Sequence, residues 1–303
     1  MAYLAVDIGG TKLAAARVSD SGDLEGDVQI EATPAHDGSA AVIASTIMTL
    51  RRCGLESAQG VGIAAAGVID SAVGRVVSST SSLTGWTGTQ VAGQVSAAVG
   101  LPVFVLNDGH AFALGESVYG VGRHNDSLLL LAAGTGVAGS YVSGGKPLFG
   151  SHWAGSHFGH ITVPQAMGLD CYCGGTGHLE SIASGSGMLS WYVRRGGDQT
   201  VRSARELVER LAHDPLASEA VGLGASAFGV AAGSLVNAFD PAIVVVAGGV
   251  TRAGPPWERP MRRAFKSALM PSLEGVPLVK SDAARWPSLR GAACYAMSRM
   301  AEM

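Results

Sequence analysis

Basic clusters, long apolar runs and cysteines are all scarce in this chain of 303 residues. The net charge is −3, from 21 Lys and Arg against 24 Asp and Glu. No basic run exceeds a few residues, so the electrostatic footprint of a nucleic-acid binder is missing. The apolar runs Leu128–Ala133 and Ile243–Val246 fall far short of the ~20 residues that cross a bilayer. Glycines follow both runs, and they read as buried strands. A strand that begins at Tyr3 leaves no room for the charged and apolar regions of a signal peptide, so a cytoplasmic location is expected. There are four cysteines, of which Cys53 and Cys294 stand alone and are expected as small apolar core residues in a reducing compartment. Hydrophobic residues, in contrast, make up 47% of the chain. That is enough for a full core, and the length suggests about two domains. The ligand expected of such a chain is small.

The other two cysteines belong to a pattern. His160, Cys171, Cys173 and His178 form a His-x10-Cys-x-Cys-x4-His array within a glycine-rich stretch that ends at Glu180. Two thiolates and two imidazoles at this spacing suit one tetrahedral Zn²⁺. A Cys171–Cys173 disulfide is the rival reading, but the intervening chain is too short for relaxed disulfide geometry. Four protein ligands close the tetrahedron and leave no position for a catalytic water. The expected zinc is therefore structural and holds a functional loop in place.

Along the chain, Tyr3–Val6 and Leu13–Val18 read as two strands joined by Asp7-Ile8-Gly9-Gly10-Thr11-Lys12. An amphipathic helix is expected from about Gly38 to Arg52, a buried strand at Val61–Ala65 and a helix at Thr89–Val99. The run Val103–Leu106 then leads through Asn107-Asp108 into a helix reaching Glu116. After Gly120-Val121-Gly122 the pattern restarts with strand Leu128–Ala133, the loop Gly134-Thr135-Gly136 and strand Ser140–Val142. Later come a long helix from about Ser218 to Phe239, a strand at Ile243–Val246 followed by Gly248-Gly249, and a last helix after Pro287. Strands alternating with helices imply largely parallel, helix-covered sheets. Two halves with the same opening imply a duplicated α/β fold with a central cleft.

Residues 134–139 match G-x-G-x-x-G, yet a strand rather than a helix follows, which excludes a dinucleotide fold, and no Walker A loop occurs. Two Gly-Thr loops remain, each after a buried strand. Glycine there lets backbone N–H groups approach phosphate oxygens, and threonine adds a hydroxyl. A carboxylate at Asp7 beside phosphates would repel them unless a divalent cation intervened, which points to Mg²⁺. Gly248-Gly249 lies at the carboxyl end of a strand, a place for a nucleotide's adenosine. Asp108 has two readings: an N-cap bonding first-turn amides, or a base that takes a proton from a hydroxyl attacking a terminal phosphate. In the second, Asn107 helps to fix a sugar.

Asp7-Ile8-Gly9-Gly10-Thr11-Lys12, Asn107-Asp108, Gly159-His160, Cys171-x-Cys173-Gly174-x-x-Gly177 and Glu180 together resemble the ROK family of sugar kinases and regulators, nearly end to end. The resemblance implies an actin-like (ribonuclease H-type) two-domain ATPase fold, with residues 1–119 and 287–303 in a small domain and 120–286 in a large one. It implies Asp108 as general base and Gly67, Asn107, Asp108, His157, His160 and Glu180 as sugar contacts. ATP is expected on Asp7, Gly9, Gly10, Thr11, Lys12, Gly134, Thr135, Gly136, Gly248 and Gly249, with Mg²⁺ and a structural Zn²⁺ as cofactors. A homodimer is also implied. His178 replaces a cysteine usual in the family, Ser82 replaces an asparagine, and His157 replaces the glutamate of glucose-specific members. An imidazole at 157 could donate to an acetamido carbonyl, which a carboxylate cannot do. His-x-Gly-His together with the opening Leu4–Ala16 resembles N-acetylmannosamine kinases, so that sugar is the expected substrate. Glucose or another hexose is the alternative. A sugar sensor without catalysis is expected less, because Asp108 and both loops are retained. A repressor would need a DNA-binding helix-turn-helix ahead of the first strand at Tyr3.

Overall fold

A computed structural model describes every residue except Ser81, Ala283 and Ala284. The chain forms two compact units. Unit 1 comprises Met1–Asp126, Val142–Ser156 and Ala283–Met303, and unit 2 comprises Ser127–Tyr141 and His157–Asp282.

Unit 1 opens with an antiparallel meander of β1 (Ala2–Ile8), β2 (Lys12–Ser19) and β3 (Leu24–Ala32). Helix α1 (Ser39–Arg52) ends in last-turn arginines, which favour the negative end of the helix dipole. Strand β4 (Ala58–Ala65) returns parallel to β1. After a small hairpin of β5 (Val68–Asp70) and β6 (Arg75–Ser78), helix α2 (Val91–Val99) is closed by Gly100 at a φ of 72°, a left-handed cap that glycine adopts without strain. Strand β7 (Val103–Asn107) lies parallel to β4 and runs straight into α3 (Asp108–Val118). The sheet order is β3-β2-β1-β4-β7. β1 and β4 are almost wholly buried and read as continuous apolar runs, as doubly covered strands do. β3 carries Glu25, Asp27 and Glu31 on the sheet edge, where charge discourages pairing with other chains.

The second sheet repeats this plan. β8 (Ser127–Ala133), β9 (Val137–Ser143) and β10 (Lys146–Pro147) form an antiparallel meander. The short helices α4 (Glu180–Ala183), α5 (Gly185–Arg194) and α6 (Ala204–Glu209) precede α7 (Pro215–Phe239). β11 (Ile243–Ala247) lies parallel to β8, and β12 (Leu278–Lys280), after α8 (Pro255–Ala268), lies parallel to β11. The order is β10-β9-β8-β11-β12. The glycines of residues 134–139 lie in the β8–β9 turn and not before a helix, with Gly134 N–H donating to Gly136 C=O at 2.9 Å.

α7 begins with Pro215 at its first position, and the Asp214 carboxylate accepts from Leu216 and Ala217 N–H. The helix is long and apolar enough to cross a membrane by length and composition, but 67% of its most apolar window is buried inside unit 2. It is the core helix of that unit. Small residues let it approach α8: a Cβ at Gly229 would lie 2.2 Å from Met261 C=O.

The last helix, α9 (Pro287–Ala301), packs on α3, β4 and β1 within unit 1. A Cβ at Gly291 would fall 1.8 Å from Ala111 C=O, one at Gly62 1.9 Å from Ala292 C=O, and one at Gly115 2.0 Å from Pro287 C=O. Only glycine at these three positions allows such close approach, and it brings the start of α9 to the ends of β1 and α3.

Candidate active site

In unit 1, β4 lies between β1 and β7, with Asp7 opposite Ala64 and Ala64 opposite Leu106. The parallel arrangement therefore brings Asp7 and the Asn107-Asp108 pair to the same, carboxyl, end of the sheet. Asn107, not Asp108, is the N-cap of α3. It has extended backbone geometry, and its carboxamide oxygen accepts from Gly109 N–H at 2.9 Å and His110 N–H at 3.2 Å. Its Nδ2 donates to Gly67 C=O at 2.9 Å and to Asp108 Oδ1 at 2.8 Å. All the hydrogen bonds of this amide go to the protein. Asn107 thereby ties Gly67, itself at a φ of 103°, to the carboxylate of Asp108. Asp108 Oδ1 also accepts from Gly109 N–H at 2.8 Å, so the side chain is oriented from two directions.

Asp7 is tied to the Ser288 hydroxyl at the start of α9. Burial, and next the negative charge of Asp108, push its carboxyl up to about 7, against the opposing pull of Lys12 and Ser288. The loop that follows is held by Gly9 N–H donating to Lys12 C=O at 3.0 Å and by Thr33, whose hydroxyl donates to Gly9 C=O at 2.7 Å. The Lys12 ammonium sits 4.7 Å above the Trp286 ring centre, a cation–π contact. Ser82 packs on Gly10, with Cβ 3.5 Å from where a side chain there would begin. Trp286 and Ser288 have no local signature; they reach the site only because α9 folds back on unit 1.

In unit 2, His160, Cys171, Cys173 and His178 converge, with one ligand atom from each all within 4.8 Å of one another. Cys171 Sγ is 3.7 Å from His160 Nδ1, and Cys173 Sγ is 3.1 Å from His178 Nδ1. A tetrahedral zinc with bonds of roughly 2.1 Å to nitrogen and 2.3 Å to sulfur sets such atoms about 3.6 Å apart. The four residues fit the ion. Burial is the main cause that holds His160 below the ordinary histidine range. Glu180 opposes it, while His157 and His178 add to it. A neutral ring is the form that ligates metal. Because His160 presents Nδ1 to the cluster, its Nε2 lies on the opposite edge of the ring. His157 begins the short turn Phe158–His160 and its C=O accepts from His160 N–H at 3.0 Å.

The β8–β9 loop is fastened to the segment that follows the array. Glu180 accepts from Val137 N–H at 2.8 Å through Oε2. Gly185 N–H donates to Gly134 C=O at 2.8 Å, and Ser186 donates to Thr135 C=O from both its N–H and its hydroxyl. A Cβ at Gly136 would lie 2.5 Å from Glu180 Oε2. A side chain at Gly136 would have to push the Glu180 carboxylate off Val137 N–H, a reason for glycine that spacing alone does not reveal. Gly248, at a φ of 92°, follows β11, and a Cβ there would lie 2.2 Å from Ala133 C=O at the end of β8. Gly249 has open space around its Cβ position.

Two five-stranded mixed sheets of equal order, each with a Gly-Thr turn after its first strand, are the plan of the actin-like ATPases. Solved structures share it over the whole chain. A ROK hexokinase from Thermus thermophilus superposes with a TM-score of 0.86 at 29% identity, covering 100% of both chains. A ROK family glucokinase from Streptomyces griseus, in complex with glucose and AMPPNP, superposes with a TM-score of 0.83 at 27% identity, covering 97% of this chain and 99% of that one. The class is that of sugar phosphotransferases. The ROK family model matches residues 3–299, and the chain belongs to the ROK family. A glucokinase from Thermotoga maritima is 30% identical over 318 aligned residues, covering 98% of each chain. An N-acetylmannosamine kinase from Yersinia pseudotuberculosis is 31% identical over 298, covering 98% of this chain and 99% of its own.

Proposed function

We propose that this sugar kinase uses ATP and Mg²⁺ to phosphorylate the 6-hydroxyl of an N-acylhexosamine, with N-acetylmannosamine as the preferred substrate. The observation that carries the reading is the Asp108 carboxylate, oriented by Asn107 and Gly109 N–H at the end of β7 beside Asp7. Asp108 accepts the proton of the sugar hydroxyl as its oxygen attacks the terminal phosphorus and the bond to the leaving diphosphate breaks. Asn107 holds the base rather than the sugar, since its amide is committed to Gly67, Asp108 and the first turn of α3. Asp7 fits a divalent cation: a carboxyl raised to about 7 by burial and a like charge is relieved when a cation neutralises it. Mg²⁺ there would supply charge neutralisation for the phosphates.

The two Gly-Thr loops present backbone N–H groups and threonine hydroxyls to the phosphates, and Gly248-Gly249 takes the adenosine. Glu180, His157 and the Nε2 edge of His160 are the sugar contacts of unit 2, with Zn²⁺ fixing the loop that carries them. His157 supports the acetamido reading, because a neutral imidazole can donate to a carbonyl. A reducing, cytoplasmic setting goes with this reading, since Cys171 and Cys173 must stay reduced to serve as thiolate ligands.

The second reading, glucose as substrate, is favoured by the glucokinase relative at 30% identity. A panel of N-acetylmannosamine, N-acetylglucosamine, glucose, mannose and allose, assayed with the native chain and His157→Glu, separates the two. The proposal expects kcat/KM highest on N-acetylmannosamine and a shift toward glucose in the variant. Glucose preferred by the native chain would overturn the acetamido assignment and leave the kinase intact.

A further inference from the structure

We propose that Glu180 is a positioning residue for the phosphate loop as well as a sugar contact, so that one carboxylate links the two substrates. This deepens the reading above and rests on it. Within unit 2, Oε2 accepts from Val137 N–H at 2.8 Å, the residue that closes the β8–β9 turn. The same oxygen occupies the space that any side chain at Gly136 would need, 2.5 Å from its Cβ position. The backbone continues the tie: Ser184 caps α5 through Gly187 N–H at 2.9 Å, its hydroxyl donates to Glu180 C=O at 2.7 Å, and Gly185 N–H and Ser186 reach Gly134 and Thr135 carbonyls. The Gly134 and Thr135 carbonyls are therefore turned toward the start of α5, while the Gly136 carbonyl closes the turn on Gly134 N–H.

The N–H groups of Thr135 and Gly136 gain a fixed setting from it, Gly134 N–H donating to Gly136 C=O within the turn. A loop whose carbonyls are bonded on one side is preorganised to offer N–H donors to an anion on the other. Glu180 lies only two residues after His178, so the metal array, the sugar carboxylate and the phosphate loop form one continuous chain of contacts. A sugar that bonds Glu180 then stiffens the Val137 contact, and by linkage a bound nucleotide favours sugar.

The test is calorimetric titration of Mg-AMPPNP into the full chain without sugar, for the native protein, Glu180→Ala, Glu180→Gln, Gly136→Ala and the Gly136→Ala/Glu180→Ala pair. Losing one hydrogen bond to a carboxylate weakens nucleotide binding about tenfold in Glu180→Ala. Glu180→Gln, whose amide oxygen still accepts from Val137 N–H, stays near the native affinity while losing sugar affinity. Gly136→Ala weakens nucleotide binding in the native background and much less beside Glu180→Ala, where its clash has gone. A sugar-free nucleotide affinity unchanged in Glu180→Ala overturns the inference and leaves the kinase reading standing. No binding of Mg-AMPPNP by the native chain overturns the reading itself, and the inference with it. Hydrogen exchange of Val137 N–H, expected to quicken in Glu180→Ala but not in Glu180→Gln, gives a readout independent of turnover.

Discussion

The loops after β1 and after β8 stand at equivalent points of two sheets with the same strand order, yet they are secured in opposite ways. In unit 1 the loop is closed on itself and on Thr33, and the carboxyl of the nearby Asp7 is pushed up to about 7 by burial and by Asp108. In unit 2 a distant carboxylate, Glu180, is the clamp, and the chain that carries it follows directly on the His-Cys array. A duplicated backbone has thus kept its turns and divided its chemistry. Unit 1 sets two carboxylates against each other, and unit 2 uses a carboxylate to tie its loop. A carboxyl raised by burial and by a like charge is the kind of group that enzymes use at reacting centres.

Metal removal should sharpen this contrast most. Stripping zinc with a chelator, or Cys171→Ser, is expected to cost about 3 kcal/mol or more, and the loss should fall on unit 2. Hydrogen exchange read region by region would show residues 157–186 opening while β1–β4 stay protected. Uniform loosening of both units would break the comparison.

Next in size is the pair Gly136→Ala and Gly10→Ala. The first puts a methyl 2.5 Å from Glu180 Oε2, whereas the second meets Ser82 at an ordinary 3.5 Å. Denaturant unfolding should show a loss of about 1 kcal/mol for Gly136→Ala, the cost of moving Glu180 off Val137 N–H, and within about 0.5 kcal/mol for Gly10→Ala. Equal costs would mean that the two loops are held alike.

The smallest effect is a pH dependence. A carboxyl near 7 in the folded chain and near 4 when unfolded binds its proton more tightly when folded. Its contribution favours folding below pH 4 and is lost as the pH rises through 7. Asp7→Asn should therefore raise the melting temperature at pH 8 and change it little at pH 4, while lowering Mg-ATP-dependent turnover. The same gain at both pH values would contradict the buried, charge-opposed Asp7.

Much of this architecture is legible in the sequence, for physical reasons. β1, β4, β7, β8 and β11 are buried strands and announce themselves as apolar runs between turn residues, and α1, α7 and α9 carry glycine or proline at their ends. The edge strands β3 and β12 do not: Leu24–Ala32 alternates polar and apolar residues instead of forming an apolar run, and Leu278–Lys280 is three residues long. α8 hides behind Pro255, Pro256, Pro260 and its arginines. At the candidate site, Asp7, the Gly-Thr turns, Asn107-Asp108 and the His-Cys array are local patterns that stand out in the sequence. Asn107 rather than Asp108 is the cap of α3, because both residue types cap helices and only the backbone angle at 107 decides between them. Ser288, Trp286 and the Glu180–Val137 bond depend on contacts between distant parts of the chain, which no local spacing encodes.

The central claim is that Asp108 is the base of a sugar kinase. The most direct measurement is a coupled ADP-release assay with Mg-ATP and N-acetylmannosamine, comparing the native chain with Asp108→Asn, alongside sugar and AMPPNP affinities. A fall of about 10³-fold in kcat with both affinities within a few-fold of native is the predicted result. Turnover by Asp108→Asn close to that of the native chain would contradict the account.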